Sequence, residues 1–368
     1  MPPPGTGCCA KGSLSGMSSP AGSGPLPPLG ELLAAMRVVA IPTRTRFRGV
    51  SVREAAIIRG PLGWTEFSPC PEYDDAEATF WLAAALEYGW SEPPAARLSR
   101  IEVNATVPAV DAADVAGILS RFPGCRTAKV KVAERGQSLA EDVARVRAVR
   151  EAMGDDARVR VDANGGWGVD EAMAALSALA PFHLDYAEQP VATVAGLAEV
   201  RARLSAGPDH RVVRIAADES VRRSSDPLAV ARAGAADLLV VKAQPLGGIR
   251  RALEIIAEAG LPVIVSSALD TSIGISMGAR LAAALPEGVL DGACGLGTVA
   301  LLAGDVVARP LVPEDGSIPV DRVSAEPRLL THFAASGERA RWWRDRIERC
   351  WAVLAGQSAG DAAGDARP

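Results

Sequence analysis

Five polar residues, Lys131, Asp162, Glu188, Asp218 and Lys242, stand at or just beyond the C-terminal ends of successive short apolar runs, at steps of 31, 26, 30 and 24 residues. Each step is about the length of one β/α unit. The runs (101–107, 128–132, 159–162, 183–187, 212–216, 238–242, 263–266 and a weak last one near 292–296) alternate with Ala-rich amphipathic stretches such as 139–153, 170–179 and 249–259. That alternation implies a parallel sheet, open or closed. An open sheet spreads consecutive strand ends along a line, whereas a closed barrel brings them to one mouth. Five such residues sharing a site therefore predict an α/β barrel.

The residue types at that mouth limit its chemistry. The order Ala, Lys, Val, Lys, Val over 128–132 puts Lys129 and Lys131 on one face and the valines on the other. With the valines under the helices, both ammonium groups lie inside. Desolvation and mutual repulsion then push lysine toward its neutral, basic form. Only four of the 39 cationic side chains are lysines: Lys11, Lys129, Lys131 and Lys242. Lysine loses its proton at accessible cost and arginine does not, so the three beyond the N-terminal tail are where an acid or base is expected. Structural pairing with interior carboxylates is the alternative. Asp162, Glu188 and Asp218 bring three carboxylates with no histidine or thiolate, a hard oxygen set that suits Mg²⁺ better than zinc. Glu219, next to Asp218, points another way and is expected to pair with Lys242.

Residues 1–30 contain 19 Gly, Pro or Ser and one charge, too little apolar content to fold, and read as a disordered tail or a misassigned start. Residues 35–98 read as a small α+β capping unit, completed by about 305–354; 100–304 form the barrel, and 356–368 a frayed end. With 44 Asp and Glu against 39 Lys and Arg, the chain lacks the basic face that nucleic acid needs. No stretch has the roughly 20 apolar residues of a membrane span, and the start lacks the pattern of a signal peptide. A cytoplasmic protein is expected. Cys8, Cys9, Cys70, Cys125, Cys294 and Cys350 show neither CxxC spacing nor histidine pairing, so they read as reduced thiols.

The segments Lys129-Val130-Lys131, Val161-Asp162-Ala163-Asn164-Gly165-Gly166-Trp167, Glu188-Gln189-Pro190, Asp218-Glu219-Ser220 and Val240-Val241-Lys242 closely resemble the enolase superfamily, in its muconate lactonizing enzyme subgroup. The resemblance spans roughly residues 35–350. It implies a modified TIM barrel, (β/α)₇β, with an N-terminal α+β capping domain. By it, Asp162, Glu188 and Asp218 are Mg²⁺ ligands, with Mn²⁺ able to substitute, and Lys131 and Lys242 flank a carboxylate substrate whose α-proton is removed. Lys129 then tunes Lys131 and contacts the substrate carboxylate, while Asn164 and Gln189 border the metal site. Of His183, His210 and His332, only His183 falls in a barrel run, at its start. The histidine base of mandelate-racemase-like members is therefore missing.

Within the subgroup, dipeptide epimerases carry acids on strand eight, where this chain reads Ala293-Cys294-Gly295-Leu296-Gly297-Thr298. The segments Arg46-Phe47-Arg48-Gly49-Val50, Arg53-Glu54, 266–274 and 295–298 resemble the o-succinylbenzoate synthase family. That resemblance implies a lyase dehydrating 2-succinyl-6-hydroxy-2,4-cyclohexadiene-1-carboxylate in menaquinone biosynthesis. Arg46 and Arg48 on a mobile loop would enclose this dicarboxylate, and Ser266 and Ser267 would donate hydrogen bonds. The alternatives are an N-succinylamino acid racemase using the same machinery, another lysine-base enzyme of the superfamily, or a catalytically silent barrel acting as a binding protein. The silent barrel is disfavoured by a complete set of two lysines and three carboxylates.

Overall fold

The computed structural model of the protein describes residues 26–206, 213–222 and 226–364. Residues 1–25 of the expected tail, His210 and the first residue of the 212–216 run lie outside them. Helix α1 (Leu29–Ala34) leads into an antiparallel meander of β1 (Met36–Phe47), β2 (Val50–Gly60) and β3 (Gly63–Phe67). The β1–β2 turn is Arg48-Gly49, with φ of +50° and +81°, the paired left-handed conformation that lets a two-residue hairpin follow the strand twist. Helix α2 (Asp75–Trp90) begins where Asp74 accepts the Glu77 N–H at 2.8 Å. It crosses the sheet closely: a Cβ on Gly60 would collide with the Gly89 carbonyl. The fold of this cap starts earlier than its sequence pattern suggests, because Leu32 and Leu33 of α1 are buried in it.

After the cap, the run 101–107 is split. Strand β4 (Arg100–Glu102) pairs antiparallel with Ser317–Pro319, outside the barrel, and only β5 (Ala105–Val107) joins the barrel sheet. Asn104 makes the break: its side-chain amide donates to the Ala105 carbonyl at 2.8 Å and lies 3.2 Å from Thr106 Oγ1. Such local bonds compete with a ladder. From there the chain alternates: α3 (Val115–Leu119), β6 (Thr127–Lys131), α4 (Leu139–Met153), β7 (Arg158–Asp162), α5 (Val169–Leu179), β8 (Leu184–Glu188) and α6 (Val194–Ser205). It continues through β9 (Arg214–Ala217), the short α7 (Glu219–Arg222) and α8 (Ala229–Arg232), β10 (Leu238–Val241), α9 (Ile249–Ala259), β11 (Val263–Val265) and α10 (Ser272–Ala284). Strands β5 to β11 form one parallel sheet in sequence order.

The eighth position belongs to residues 290–295, which make single parallel bridges: Leu290 to Val263, Gly295 to Ser266, and Cys294 to Val103. They close the two edges of the sheet without a ladder, since Gly292 (φ +90°) and Gly295 weaken a strand. Along the strands nearly every residue is buried, and the side to which it packs alternates as the barrel requires. Val159, Val161, Ala187, Ile215 and Val241 pack with the helices, whereas Tyr186, Ala216, Leu238, Val240 and Ile264 form a separate apolar plug. His183 lies just before β8, in a left-handed cap (φ +49°).

Residues after the barrel return to the cap. Helix α11 (Pro327–His332) precedes α12 (Gly337–Gly364), which enters the 356–368 stretch as far as Gly364; residues 365–368 lie outside the described residues. Trp343, Ile347, Cys350 and Leu354 of α12 are buried in one cluster with Phe67, Trp81 and Leu82 of the cap. Among the described residues, no helix is long and apolar enough to cross a membrane.

Candidate active site

The β6–β10 strand ends bring all five residues of the motif to the barrel mouth, each almost fully buried: Lys131, Asp162, Glu188, Asp218 and Lys242. Lys131 ends the second barrel strand and Lys242 follows the sixth. With eight positions around the barrel, they face each other across it, with the three carboxylates on the strands between. A cavity of about 300 Å³ lies above them, roofed by Phe47, Arg48 and Tyr73 of the cap. That volume is at the small end of the usual range for ligand pockets.

Lys131 Nζ donates to Asp162 Oδ2 at 2.5 Å and to Asn164 Oδ1 at 2.9 Å. Burial, helped by the charges of Arg48 and Lys129, lowers its pKa to about 8 in spite of Asp162. Lys242 pairs with Asp218 and is also lowered, mainly by burial. Lys129 behaves oppositely to the sequence expectation. Burial pulls its pKa down, but Glu188 at 3.0 and 2.9 Å and Asp162 at 3.3 Å outweigh this, and the ammonium form is favoured.

The carboxylates are split in the same way. Burial would raise Asp162, yet Lys131, Lys129 and Arg48 hold it well below the ordinary range. Arg222 and Lys242 do the same for Asp218. Glu188 instead rises to about 7, because burial and the neighbouring Asp162 outweigh Lys129. Three adjacent buried carboxylates, all oxygen donors, are the chemistry of a hard divalent cation. Among the described residues, however, no three His, Cys, Asp or Glu side chains stand close enough to hold a metal as they are. The ammonium groups of Lys129, Lys131 and Lys242 sit on those oxygens instead. The donor set fits the cation, and loading it requires these ammonium groups to yield.

Other site residues divide into those at the cavity and those behind it. Glu219 does not reach Lys242. It opens α7 and turns toward the cap, where its Oε1 accepts from Arg48 at 2.9 Å and Arg222 at 2.6 Å, with Asn164 Nδ2 at 3.4 Å. Arg48 thus lines the cavity, while Arg46, two residues back on β1, is exposed and outside it. Arg53 lies within β2, is buried and also lines the cavity. Gln189, held at φ +40°, accepts the backbone N–H groups of Asp218 and Ser220 at 3.0 and 3.2 Å and so fixes the loop that carries Asp218. Ser267 donates to the Gly295 carbonyl at 2.9 Å and lies 2.8 Å from Thr298 Oγ1. Ser266 shares that carbonyl at 3.5 Å.

Three residues were not anticipated from the sequence. Arg222 is one helical turn past Asp218 and bonds Asp218, Glu219 and the Tyr73 hydroxyl; the i, i+4 spacing was its only signal. Arg145 on α4, fully buried, donates to the Lys131 carbonyl at 2.8 Å and to Asp142 at 2.8 Å. Asp142 in turn accepts the N–H of Ala133, which has φ of +58°. This buried pair clamps the backbone on either side of Val132, next to Lys131.

Residues 38–89 match the enolase N-terminal domain-like family model and residues 111–325 the enolase C-terminal domain-like model. Over 330 residues the chain is 54% identical to the o-succinylbenzoate synthase of Mycobacterium tuberculosis, covering 89% of this chain and 97% of that protein. Over 344 residues it is 52% identical to the o-succinylbenzoate synthase of Mycobacterium leprae, covering 93% and 99%. The crystal structure of 2-chloromuconate cycloisomerase from Rhodococcus opacus superposes with a TM-score of 0.68 at 24% identity, covering 82% of this chain and 98% of that one, a likeness of fold. The cap, the closed parallel sheet and these relatives agree: the chain belongs to the enolase-like proteins and, within them, to the o-succinylbenzoate synthase family.

Proposed function

We propose that this protein is a lyase that dehydrates 2-succinyl-6-hydroxy-2,4-cyclohexadiene-1-carboxylate to o-succinylbenzoate, a cytoplasmic step in menaquinone biosynthesis. The observation that carries the reading is Lys131, buried and lowered to about 8, facing the buried Lys242 across three carboxylates. Neutral Lys131 removes the proton alpha to the ring carboxylate, and the C–H electrons move into that carboxylate as an enediolate. When they return, the C–O bond at C6 breaks, the hydroxyl takes the proton back from Lys131, and water and the aromatic ring are the products. Lys242 keeps its proton on the opposite side and offsets the developing charge. Asp162, Glu188 and Asp218 would hold a divalent cation, Mg²⁺ with Mn²⁺ as substitute, which would supply further positive charge against the dianion. Arg48 and the Ser266–Ser267 pair surround the succinyl arm.

A second reading, racemization of N-succinylamino acids, is favoured by one observation: Lys242 is also lowered by burial, as a second base requires. Assaying the purified protein with Mg²⁺ for dehydration and for racemization separates the two. Racemization of both enantiomers without dehydration of the cyclohexadiene would replace the lyase reading.

A further inference from the structure

The segment after β11 forms a wall of the cavity with Ser266, Ser267, Ala268 and Leu269, yet its position is set from the cap. Glu66 on β3, fully buried, accepts from Thr271 Oγ1 at 2.5 Å, from the Thr271 N–H at 3.2 Å and from the Gly274 N–H at 3.1 Å. It also takes the Ser68 hydroxyl at 2.6 Å. Arg53 on β2 donates Nε to the Leu269 carbonyl at 3.1 Å and Nη2 to the Ser68 carbonyl and hydroxyl at 2.5 and 2.8 Å. Its guanidinium lies 3.6 Å from Asp270. Two cap strands therefore hold Leu269, Asp270 and Thr271 in turn.

The hold is tight and conformationally specific. Leu269 has φ of +65°, a backbone state that a non-glycine residue keeps only when its surroundings impose it. A Cβ on Gly274 would come within 2.7 Å of Asp270 Cβ and 3.0 Å of Glu66 Cδ, so the two domains touch without slack at this point. Arg53 is also the charge set between two buried carboxylates, Glu66 and Asp270: burial raises both, Asp270 raises Glu66 further, and Arg53 pulls each back down. None of these residues belongs to the lysine and carboxylate cluster.

We propose that Arg53 and Glu66 are positioning residues for specificity: from the cap, they fix the 268–271 segment and with it the shape of the cavity wall that the bound substrate meets. The cap thereby selects substrate through a barrel loop as well as through its own hairpin. A guanidinium fork is needed because one side chain must reach the Leu269 carbonyl and Ser68 together, which an ammonium cannot reproduce. The inference rests on the dehydration reading for its substrate, and its test keeps the two apart.

The test compares wild type, Arg53→Met, Arg53→Lys and Leu269→Gly by thermal unfolding and by kcat and KM for two reactions, dehydration of the cyclohexadiene and racemization of an N-succinylamino acid. Arg53→Met is expected to raise KM for dehydration about tenfold with kcat little changed, and to shift the ratio of kcat/KM for the two substrates by a similar factor. Arg53→Lys should recover only part of this. Leu269→Gly frees the loop without touching the cap and should move the ratio in the same direction, which keeps the test open if Arg53→Met does not fold. Binding of o-succinylbenzoate, measured by calorimetry, should weaken in parallel. A ratio and product affinity unchanged in Leu269→Gly and in folded Arg53 variants would overturn the proposal, as would a loss of activity that follows the folded fraction alone. A wild-type protein that does not dehydrate the cyclohexadiene rejects the reading of function, whereas the calorimetric comparison still decides the role of Arg53.

Discussion

The ammonium of Lys129 lies 3.0 and 2.9 Å from the two oxygens of Glu188, and this pairing separates it from Lys131, which shares the same face of the same strand. Lys129 is held as a cation, while Lys131 is lowered to about 8. Adjacent lysines are thus given different work by one carboxylate: the first supplies fixed charge and the second a titratable amine.

That difference makes Lys131 the group whose loss removes chemistry. Lys131→Ala should lower turnover by about 10² to 10⁴, the usual contribution of general acid–base catalysis, with unfolding still cooperative. Because the amine must be neutral to act as base, kcat/KM in wild type should fall as pH drops below about 8. A pH–rate profile checks this, and near-normal dehydration by Lys131→Arg would falsify the need for a titratable amine.

Metal loading should be visible as proton release. Glu188 is pushed up to about 7, and a carboxylate must be ionised to ligate a cation. Titrating Mg²⁺ into the metal-free protein near that pH, in buffers of different ionisation enthalpy, should therefore show protons leaving. Chelation should abolish activity, Mg²⁺ or Mn²⁺ should restore it, and Asp162→Asn or Asp218→Asn should weaken binding. Full activity after exhaustive chelation would remove the metal from the account.

The β/α frame and the five mouth residues were legible in the sequence because strand-end spacing is a direct projection of barrel geometry. Ile249–Ala259 appears as its apolar periodicity indicates, and Lys131, Asp162 and Glu188 end their strands. Most of what was not legible depends on contacts between distant segments. The partner of Glu219 is decided by Arg48, 171 residues away, and the protonation of Lys129 by Glu188, 59 residues away. The split at Asn104 turned on local side-chain bonds that hydrophobic pattern does not carry.

Glu66 and Asp270, brought together from cap and barrel, predict a pH signature in stability. The Glu66 carboxyl lies at about 7 in the folded chain against an ordinary 4.5, chiefly from burial and then from Asp270. Between those values the folded state holds a proton that the unfolded chain has released. The resulting stabilisation is complete below about 4.5 and is lost as pH rises through about 7. Glu66→Gln removes the titration and should flatten that slope, though not abolish it, since Glu188 is raised over the same window. Urea unfolding midpoints at the two ends of the window measure it; an unchanged slope would show that Glu66 titrates normally.

Lys242 has different roles in dehydration and in racemization. A dedicated lyase needs only its charge, whereas a racemase needs it to accept and return a proton from the face opposite Lys131. Lys242→Arg keeps the cation beside Asp218 and removes the accessible neutral amine. Dehydration should survive in part, as far as the larger guanidinium is tolerated, and racemization should disappear. Solvent deuterium separates the cases further. Wild type should wash label into both enantiomers of an N-succinylamino acid only if both lysines exchange protons, and Lys242→Arg should confine exchange to the enantiomer that presents its α-hydrogen to Lys131. Continued exchange with both enantiomers in that variant would mean that a base other than Lys242 serves the second face.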